Sequence, residues 1–78
     1  MIVKHDRIVL TADLEACGLQ ASDVGAVVHR YGAGEAFEVE FLLLDDTTAA
    51  AATVGADQAR PVSHNDIIHA RPFVAPAE

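Results

Sequence analysis

Four histidines are the residues of this chain whose type first suggests chemistry: His5, His29, His64 and His69. Histidine is a common metal ligand, and a zinc-type site needs three or four ligands that converge on one point. His64 and His69 are five residues apart, which puts them on opposite faces of a strand and out of line on a helix. We therefore expect histidines at the surface, with no metal site and no cofactor.

A histidine beside a carboxylate can also act as an acid–base pair. His29 and Glu38 meet if the centre of the chain forms a hairpin, so they are the candidate ligand pair. No nucleophile or third orienting group lies near them in sequence, and Cys17 and Ser22 lack an activating context. A cross-strand ion pair on a solvent-facing surface is the simpler interpretation, contributing about 0.2–1 kcal/mol. The sequence thus predicts no catalytic residues and a protein that is not an enzyme.

Acidic side chains dominate the charge of the chain, since twelve Asp and Glu oppose five Lys and Arg and the net charge is −7. Nucleic-acid binding depends on Lys and Arg that neutralise phosphate, so neither nucleic acid nor an anionic membrane is an expected partner. A basic protein surface is the natural complement. The predicted partner-binding face is the densest acidic group, namely Glu35, Glu38, Glu40, Asp45 and Asp46.

The length of 78 residues predicts one domain with a small core, because a chain of this size buries only about 60% of its unfolded surface. The single cysteine, Cys17, cannot form an internal disulfide, which favours a reducing cytoplasm. The first ten residues lack the apolar core and cleavage site of a signal peptide. No apolar run approaches the roughly 20 residues that span a bilayer. We expect a cytoplasmic protein.

Short strands separated by turns account for most of the chain. Their β-branched and aromatic residues predict strands over 6–12, over both arms of a hairpin within 23–41, over 47–54 and over 59–62. A long loop with one helical turn joins the first strand to the hairpin. The sequence "GADQ" predicts one short 3₁₀ turn before the last of these strands.

The C-terminal residues are harder to assign. A sixth strand is predicted around residues 67–71, followed by an extended and flexible end. The phrase "ARP" occurs twice, at 59–61 and 70–72. Two copies of so short a phrase do not predict a repeat architecture.

The hairpin allows the pairing of its strands to be predicted residue by residue. With a four-residue loop over 32–35, the cross-strand pairs are Tyr31–Ala36, Arg30–Phe37, His29–Glu38 and Val28–Val39. The core face then carries Ala26, Val28, Val39 and Phe41, and the solvent face carries Val27, His29, Glu38 and Glu40. A five-residue loop would shift the pairing by one residue, placing Tyr31 against Phe37 and Arg30 against Glu38. We prefer the first register because it separates apolar from charged residues.

Five short strands, a long first loop, a tight hairpin and a 3₁₀ turn before the last strand predict an all-β fold. The expected architecture is a small SH3-like five-stranded barrel over residues 1–62, six-stranded if the extra strand forms. Residues 63–78 are the C-terminal extension.

The run "DVGAVVHRY", followed by "EAFEVEF" and "RPV", resembles a family of small bacterial domains of unknown function. The family pattern is Gly-Asp-Val-Gly-x-Val-Val, then Tyr, a turn, Ala-aromatic-Glu-Val-Glu-Phe and a closing Arg-Pro-Val, so the resemblance covers residues 6–62. Ser22 stands where the family has glycine, which suggests a less sharp turn, and Arg30 stands where an aliphatic residue is usual. The resemblance implies an SH3-like fold and no chemistry. The resemblance further implies toxin-like neighbouring genes, and we use this implication only to rank an antitoxin-like role first.

The leading functional hypothesis is a non-enzymatic, acidic protein-binding module, an antitoxin- or immunity-like subunit that masks a basic surface of its partner. The alternative is an accessory subunit of a larger enzyme complex that binds a metal or small molecule through His29 and Glu38 or the C-terminal histidines. Self-association through exposed strand edges is a third hypothesis, because so small a sheet rarely closes fully.

Overall fold

β-Branched and aromatic residues recur between short turn sequences, and they form five β-strands. The computed structural model describes residues 1–76. Its strands are β1 (Arg7–Leu10), β2 (Val24–Tyr31), β3 (Ala36–Leu42), β4 (Thr48–Gly55) and β5 (Ala59–Pro61). Two short 3₁₀ helices occur in the same range, at Glu15–Cys17 and Ala56–Gln58. The predicted all-β class is confirmed, and a 3₁₀ turn precedes the last strand as predicted.

All the strands belong to one antiparallel sheet with the order β4-β3-β2-β1-β5. The two edges are therefore β4 and β5, which the second 3₁₀ helix connects. Within the described residues no ladder of hydrogen bonds joins these two strands, so the sheet is open. The expected strand number is right, whereas the closure that would make a barrel is not observed.

The hairpin between β2 and β3 has the predicted four-residue turn over residues 32–35. Glycine is required there because Gly32 and Gly34 have positive φ values of 56° and 95°. The first cross-strand pairs are Tyr31–Ala36, Arg30–Phe37 and His29–Glu38, as expected from the preferred register. The alternative register with a five-residue loop does not occur.

A β-bulge at Val28 changes the pairing beyond His29. Val39 pairs with Val27 instead of Val28, and Glu40 pairs with Ala26. Val27 is fully buried and Val28 is 41% exposed, so the predicted assignment of these two valines to the core and solvent faces is wrong. An extra residue in one strand reverses the inside–outside alternation of everything that follows it.

The core lies on one face of the sheet and is built from nine buried apolar residues: Ile8, Leu10, Leu19, Val27, Phe37, Val39, Phe41, Ala52 and Val54. Gly25 in β2 is part of this packing. A Cβ atom at that position would lie 2.5 Å from Cγ1 of Val39 and 2.8 Å from Cε2 of Phe41. The absence of a side chain at Gly25 therefore lets β3 residues pack directly on the β2 backbone.

The long loop between β1 and β2 contains the first 3₁₀ helix, which ends at Gly18 in a left-handed conformation. Leu19 follows and is buried in the core. Ser22 has a φ of 80°, and its N–H donates to the carbonyl of Leu10 at 2.8 Å. The expectation of a less sharp turn at Ser22 is therefore wrong, because the serine adopts the left-handed backbone that glycine adopts most easily.

Arg30 lies half-buried on β2, at the position where the sequence departs from the family pattern. Its Nη1 atom contacts Sδ of Met1 at 3.3 Å. Its Nε atom has no hydrogen-bond partner among the described residues. The guanidinium thus packs against the start of the chain without forming an ion pair there.

The C-terminal extension contains no strand in residues 63–76, so the predicted sixth strand over 67–71 is absent. This segment is attached to the domain by side-chain contacts and not by a ladder of backbone hydrogen bonds. Phe73 packs against the core, and the backbone near Val74 passes close to Gly18. Ile67 and Ile68, which a buried strand would have covered, are 93% and 88% exposed. The predicted flexible end extends to residues 77–78, which lie outside the described residues.

Candidate functional site

The centre of the predicted acidic face lies on the outer side of β3. Phe37, Val39 and Phe41 are buried on the inner side. Because side chains alternate along a strand, Glu38 and Glu40 must point the other way. Residues two apart on one strand are about 7 Å apart, so these carboxylates form a close pair of like charges.

Threonine hydroxyls of β4 hold both carboxylates. Thr53 Oγ1 donates to Glu38 Oε1 at 2.9 Å, and Thr48 Oγ1 donates to Glu40 Oε2 at 3.3 Å. A hydroxyl donor orients a carboxylate and leaves its charge in place. The outer face of β3 therefore presents two positioned negative charges.

The other three predicted acidic residues lie at the two ends of β3. Glu35 is in the β2–β3 turn, with its carboxylate over Gly32. Asp45 and Asp46 are in the β3–β4 turn, where Asp45 Oδ1 accepts hydrogen bonds from Thr47 Oγ1 at 2.6 Å and from Thr47 N at 3.0 Å. These bonds lower the pKa of the Asp45 carboxyl. β3 is about 23 Å long by its seven residues, so the five acids are spread over this strand and the turns at its two ends instead of being gathered at a point.

None of these acids is neutralised by a cation among residues 1–76. The ion pairs in that range are Arg60–Asp66, Arg71–Asp23 and, when the histidine is protonated, His69–Asp23. All three hold the C-terminal extension. The negative charge along β3 is therefore uncompensated within the described part of the chain.

The candidate pair His29 and Glu38 occupies directly opposed positions on β2 and β3. Their side chains have other partners: the His29 ring packs edge-on against Tyr31, with centroids 4.5 Å apart, and Glu38 accepts from Thr53. No hydrogen bond between the pair occurs in the structure. No three His, Cys, Asp or Glu side chains within residues 1–76 are grouped closely enough to hold a metal ion.

The sequence profile of a family described as "Domain of unknown function (DUF4926)" matches residues 4–61. The chain belongs to this family. No curated protein and no solved structure matches it. The DUF4926 match spans all five strands and ends at the last residue of β5, so the C-terminal extension lies beyond it. No helix among the described residues is long and apolar enough to cross a bilayer.

The C-terminal extension lies outside the DUF4926 match and is attached to the matched domain at Asp23, just before β2. Arg71 donates to both Asp23 carboxylate oxygens, from Nε at 3.0 Å and from Nη2 at 2.6 Å. His69 Nε2 lies 3.1 Å from Asp23 Oδ1, and the Gln20 N–H donates to Oδ2 at 2.8 Å. Arg71 also donates to the carbonyl of Gly18 at 2.9 Å. We call Asp23, His69 and Arg71 the Asp23 cluster.

The pKa of Asp23 reflects two opposed effects. Burial raises the pKa, and the hydrogen bonds from Arg71, Gln20 and His69 lower it by more, so the carboxyl stays ionised below its usual range. A buried carboxylate with this many donors is satisfied as an acceptor. The Asp23 cluster therefore serves to fix the extension on the DUF4926 domain.

A second attachment of the extension involves Arg60, in the first copy of the repeated "ARP". Arg60 donates to both oxygens of Asp66, at 2.8 and 3.0 Å, and these bonds, together with one from the Ser63 N–H, lower the Asp66 pKa to about 2. In both copies the arginine Nη1 also donates to the carbonyl of the proline that follows it, at 3.2 Å for Arg60 and 3.1 Å for Arg71. Sequence reasoning missed both attachments: the repeated "ARP" marks the two arginines, but it does not point to the aspartate that each of them binds.

An apolar groove of about 440 Å³ separates the extension from the β3–β4 turn. Leu42, Leu44 and Ile68 are among its lining residues. Its charged lining residues include Glu40 and Asp46 on the side of β3 and Arg7 and Arg71 on the side of the extension. Leu44 is 93% exposed. The acidic face of the DUF4926 domain is thus continuous with an exposed apolar surface.

Proposed function

We propose that this chain is a non-enzymatic protein-binding module that binds an electropositive partner protein through the outer face of β3. The observation that carries the proposal is that none of the five acids along β3 is in an ion pair within residues 1–76. Glu38 and Glu40 are already oriented by threonines. Binding a cation there orders fewer side chains than binding at mobile carboxylates, so less conformational entropy is lost.

The apolar groove beside this face supports a protein as the partner. Protein interfaces combine a desolvated apolar centre with a polar rim. Leu42 and Leu44 supply exposed apolar area, and Glu40 and Asp46 border the same groove. An exposed apolar patch with charged residues at its margin is typical of an interaction surface.

The net charge of −7 adds a long-range term. A surface of one sign accelerates encounter with partners of opposite sign and disfavours phosphate backbones. An antitoxin- or immunity-like subunit would use such a face to cover a basic active surface on its partner, and we include that role in the proposal.

The Asp23 cluster supports a binding module over an enzyme. It is the one place in the described residues where a histidine, a carboxylate and an arginine make direct contact. Both Asp23 oxygens are occupied by donors from the extension and the loop. A carboxylate engaged in this way has a structural task, since a general base must be free to accept a proton from substrate.

The proposal is tested by affinity capture with the full chain and a double variant, Glu38→Gln/Glu40→Gln. A matched control, Glu15→Gln/Asp57→Asn, removes the same number of charges from exposed positions outside β3 and its two turns. We expect the wild type and the control to retain a protein with a high isoelectric point. We expect the double variant to lose that protein.

Salt provides a second criterion. Raising the ionic strength from about 0.1 M to about 1 M shortens the Debye length from about 10 Å to about 3 Å, so capture should weaken steeply. A partner that binds the double variant and the wild type equally well, or that is retained at high salt, contradicts the assignment of the β3 face.

A further inference from the structure

β4 is a long edge strand whose outer side is unpaired. Its eight residues form a ladder with β3 alone. Residues 48–54 make no backbone–backbone hydrogen bond outside that ladder within the described chain. In an antiparallel pair about half of the N–H and C=O groups of an edge strand point away from its neighbour. β4 therefore offers a row of free donors and acceptors.

Natural edge strands normally carry features that block further pairing, such as charged residues, proline or very short length. β4 has none of these along "TAAAATVG". The bulge opposite Leu42 affects only its first residues. The opposite edge differs, because β5 has only three residues, includes Pro61 and carries Arg60, which fixes the extension beside it. Of the two edges of this sheet, β4 can therefore pair with another strand, whereas β5 is blocked.

The residues around β4 indicate what kind of strand fits. Glu38 and Glu40 lie one strand in from the edge, opposite Thr53 and Ala51 of β4. Both β4 residues are small and exposed. A strand added to β4 would lie two strand spacings from β3, about 9.6 Å. Lysine or arginine side chains of the added strand can reach over Ala51 and Thr53 to meet the carboxylates.

The other face of the added strand meets a different environment. Ala52 and Val54 of β4 are buried on that side, and Leu14 and Cys17 pack at the border of the core. Apolar residues suit these positions. The chemistry of the site therefore selects an alternating sequence, basic on one face and apolar on the other.

A second copy of this chain fits less well than a basic partner. Its own β4 contains no cation, and its outer face carries the same glutamates. Pairing two β4 strands would satisfy the backbone groups and leave all four carboxylates without a counter-charge. Charge complementarity thus favours a partner of a different sequence.

We propose that β4 accepts an extended segment of a partner protein as a sixth strand, with alternate Lys or Arg side chains of that segment on Glu38 and Glu40. The inference rests on the proposed binding of a basic partner and adds the mode of binding. Backbone pairing supplies affinity in this mode, and the alternating side chains supply specificity.

The test uses a synthetic eight-residue peptide of alternating lysine and valine and the full ¹⁵N-labelled chain. A control peptide has the same sequence with N-methyl groups on alternate residues, which removes the backbone donors of one edge and keeps the charge. We expect the unmodified peptide to shift and protect amide signals in residues 48–55. We expect the methylated peptide to bind at least about tenfold more weakly, which corresponds to about 1.4 kcal/mol.

Variants of the chain separate this inference from the proposed function. Equal binding of both peptides that is lost in Glu38→Gln/Glu40→Gln overturns strand addition and leaves the acidic face as the binding surface. Binding that is unchanged in that variant, and equally in the Glu15→Gln/Asp57→Asn control, overturns the acidic face itself. Failure of the unmodified peptide to bind overturns strand addition. A concentration-dependent dimer with protected β4 amides in the absence of peptide would overturn the choice of occupant.

Discussion

The two halves of this sheet differ in whether their carboxylates are paired with cations. In the anchored half, formed by β1, β5 and the C-terminal extension, Asp23 and Asp66 each receive two hydrogen bonds from an arginine. In the acidic half, formed by β3 and β4, Glu38 and Glu40 receive only a threonine hydroxyl each. Paired charge holds the first half together, and unpaired charge leaves the second half available for a partner.

The largest expected effect comes from removing Asp23. Asp23→Ala leaves Arg71 without its carboxylate partner in a site where the arginine side chain is only 19% exposed. Removal of Asp23 leaves this arginine without a counter-charge and frees the extension from the loop, so we expect a larger loss of stability than for the other variants below. Urea unfolding measures this loss, and hydrogen exchange should show faster exchange over residues 63–76. If Glu38→Ala in the acidic half is equally destabilising, the distinction between the halves fails.

The next largest loss of stability is expected from a substitution beside the bulge at Val28, because the bulge turns the side chain of Val27 into the core. Val27→Ala removes two buried methyl groups and should destabilise the fold by about 2 kcal/mol. Val28→Ala should change stability by less than about 0.5 kcal/mol, since its side chain is largely at the surface. The same urea experiment compares the two variants. A larger loss for Val28→Ala than for Val27→Ala would mean that β2 has no bulge and follows simple alternation.

Acid should loosen the anchored half. The folded-state pKa of Asp23 is lowered and that of Asp66 is about 2. A depressed carboxyl pKa contributes stability that is present above the unfolded pKa and is lost as pH falls through the folded one. Stability should therefore fall between about pH 4 and about pH 2. Asp66→Asn should reduce the slope of unfolding free energy against pH in that window, and an unchanged slope would contradict the assignment.

The smallest effect is expected in the acidic half. Glu38→Gln/Glu40→Gln removes two like charges that lie close together, so stability at low salt should rise by about 0.3 kcal/mol. The gain should disappear at high salt because exposed charges are screened. Thermal unfolding at two salt concentrations measures both. A clear loss of stability would show that the carboxylates are structural rather than available for binding.

The parts of the fold that could be predicted from sequence are those set by local chemistry. Gly32 and Gly34 fix the turn, and the alternation of Phe37, Glu38 and Val39 fixes the faces of β3. The bulge could not be predicted, because Val27 and Val28 are both suited to a buried strand and nothing in the sequence tells which is the extra residue. The structure shows that Val27 is the residue that pairs with Val39 and that Val28 is the extra one.

The contacts of the anchored half could not be predicted from the sequence for a different reason. The pairing of Asp23 with Arg71 joins residues 48 apart in sequence, and no local pattern connects them. Residues 67–71 were expected to form a sixth strand. The structure instead uses Arg71 for a side-chain bond and leaves Ile67 and Ile68 exposed. The candidate acids were found from sequence, whereas their distribution along β3 required the register.

The repeated arginine–proline phrase has a consequence for how this chain can vary in length. Of the residues between the two copies, Ser63 and Asp66 belong to the first attachment and His69 belongs to the second. Ile67 and Ile68 are exposed and belong to neither attachment, so insertions or deletions there should leave Arg60 on Asp66 and Arg71 on Asp23. Each attachment is specified by its own residues, whereas the number of residues between the two attachments is not fixed by either.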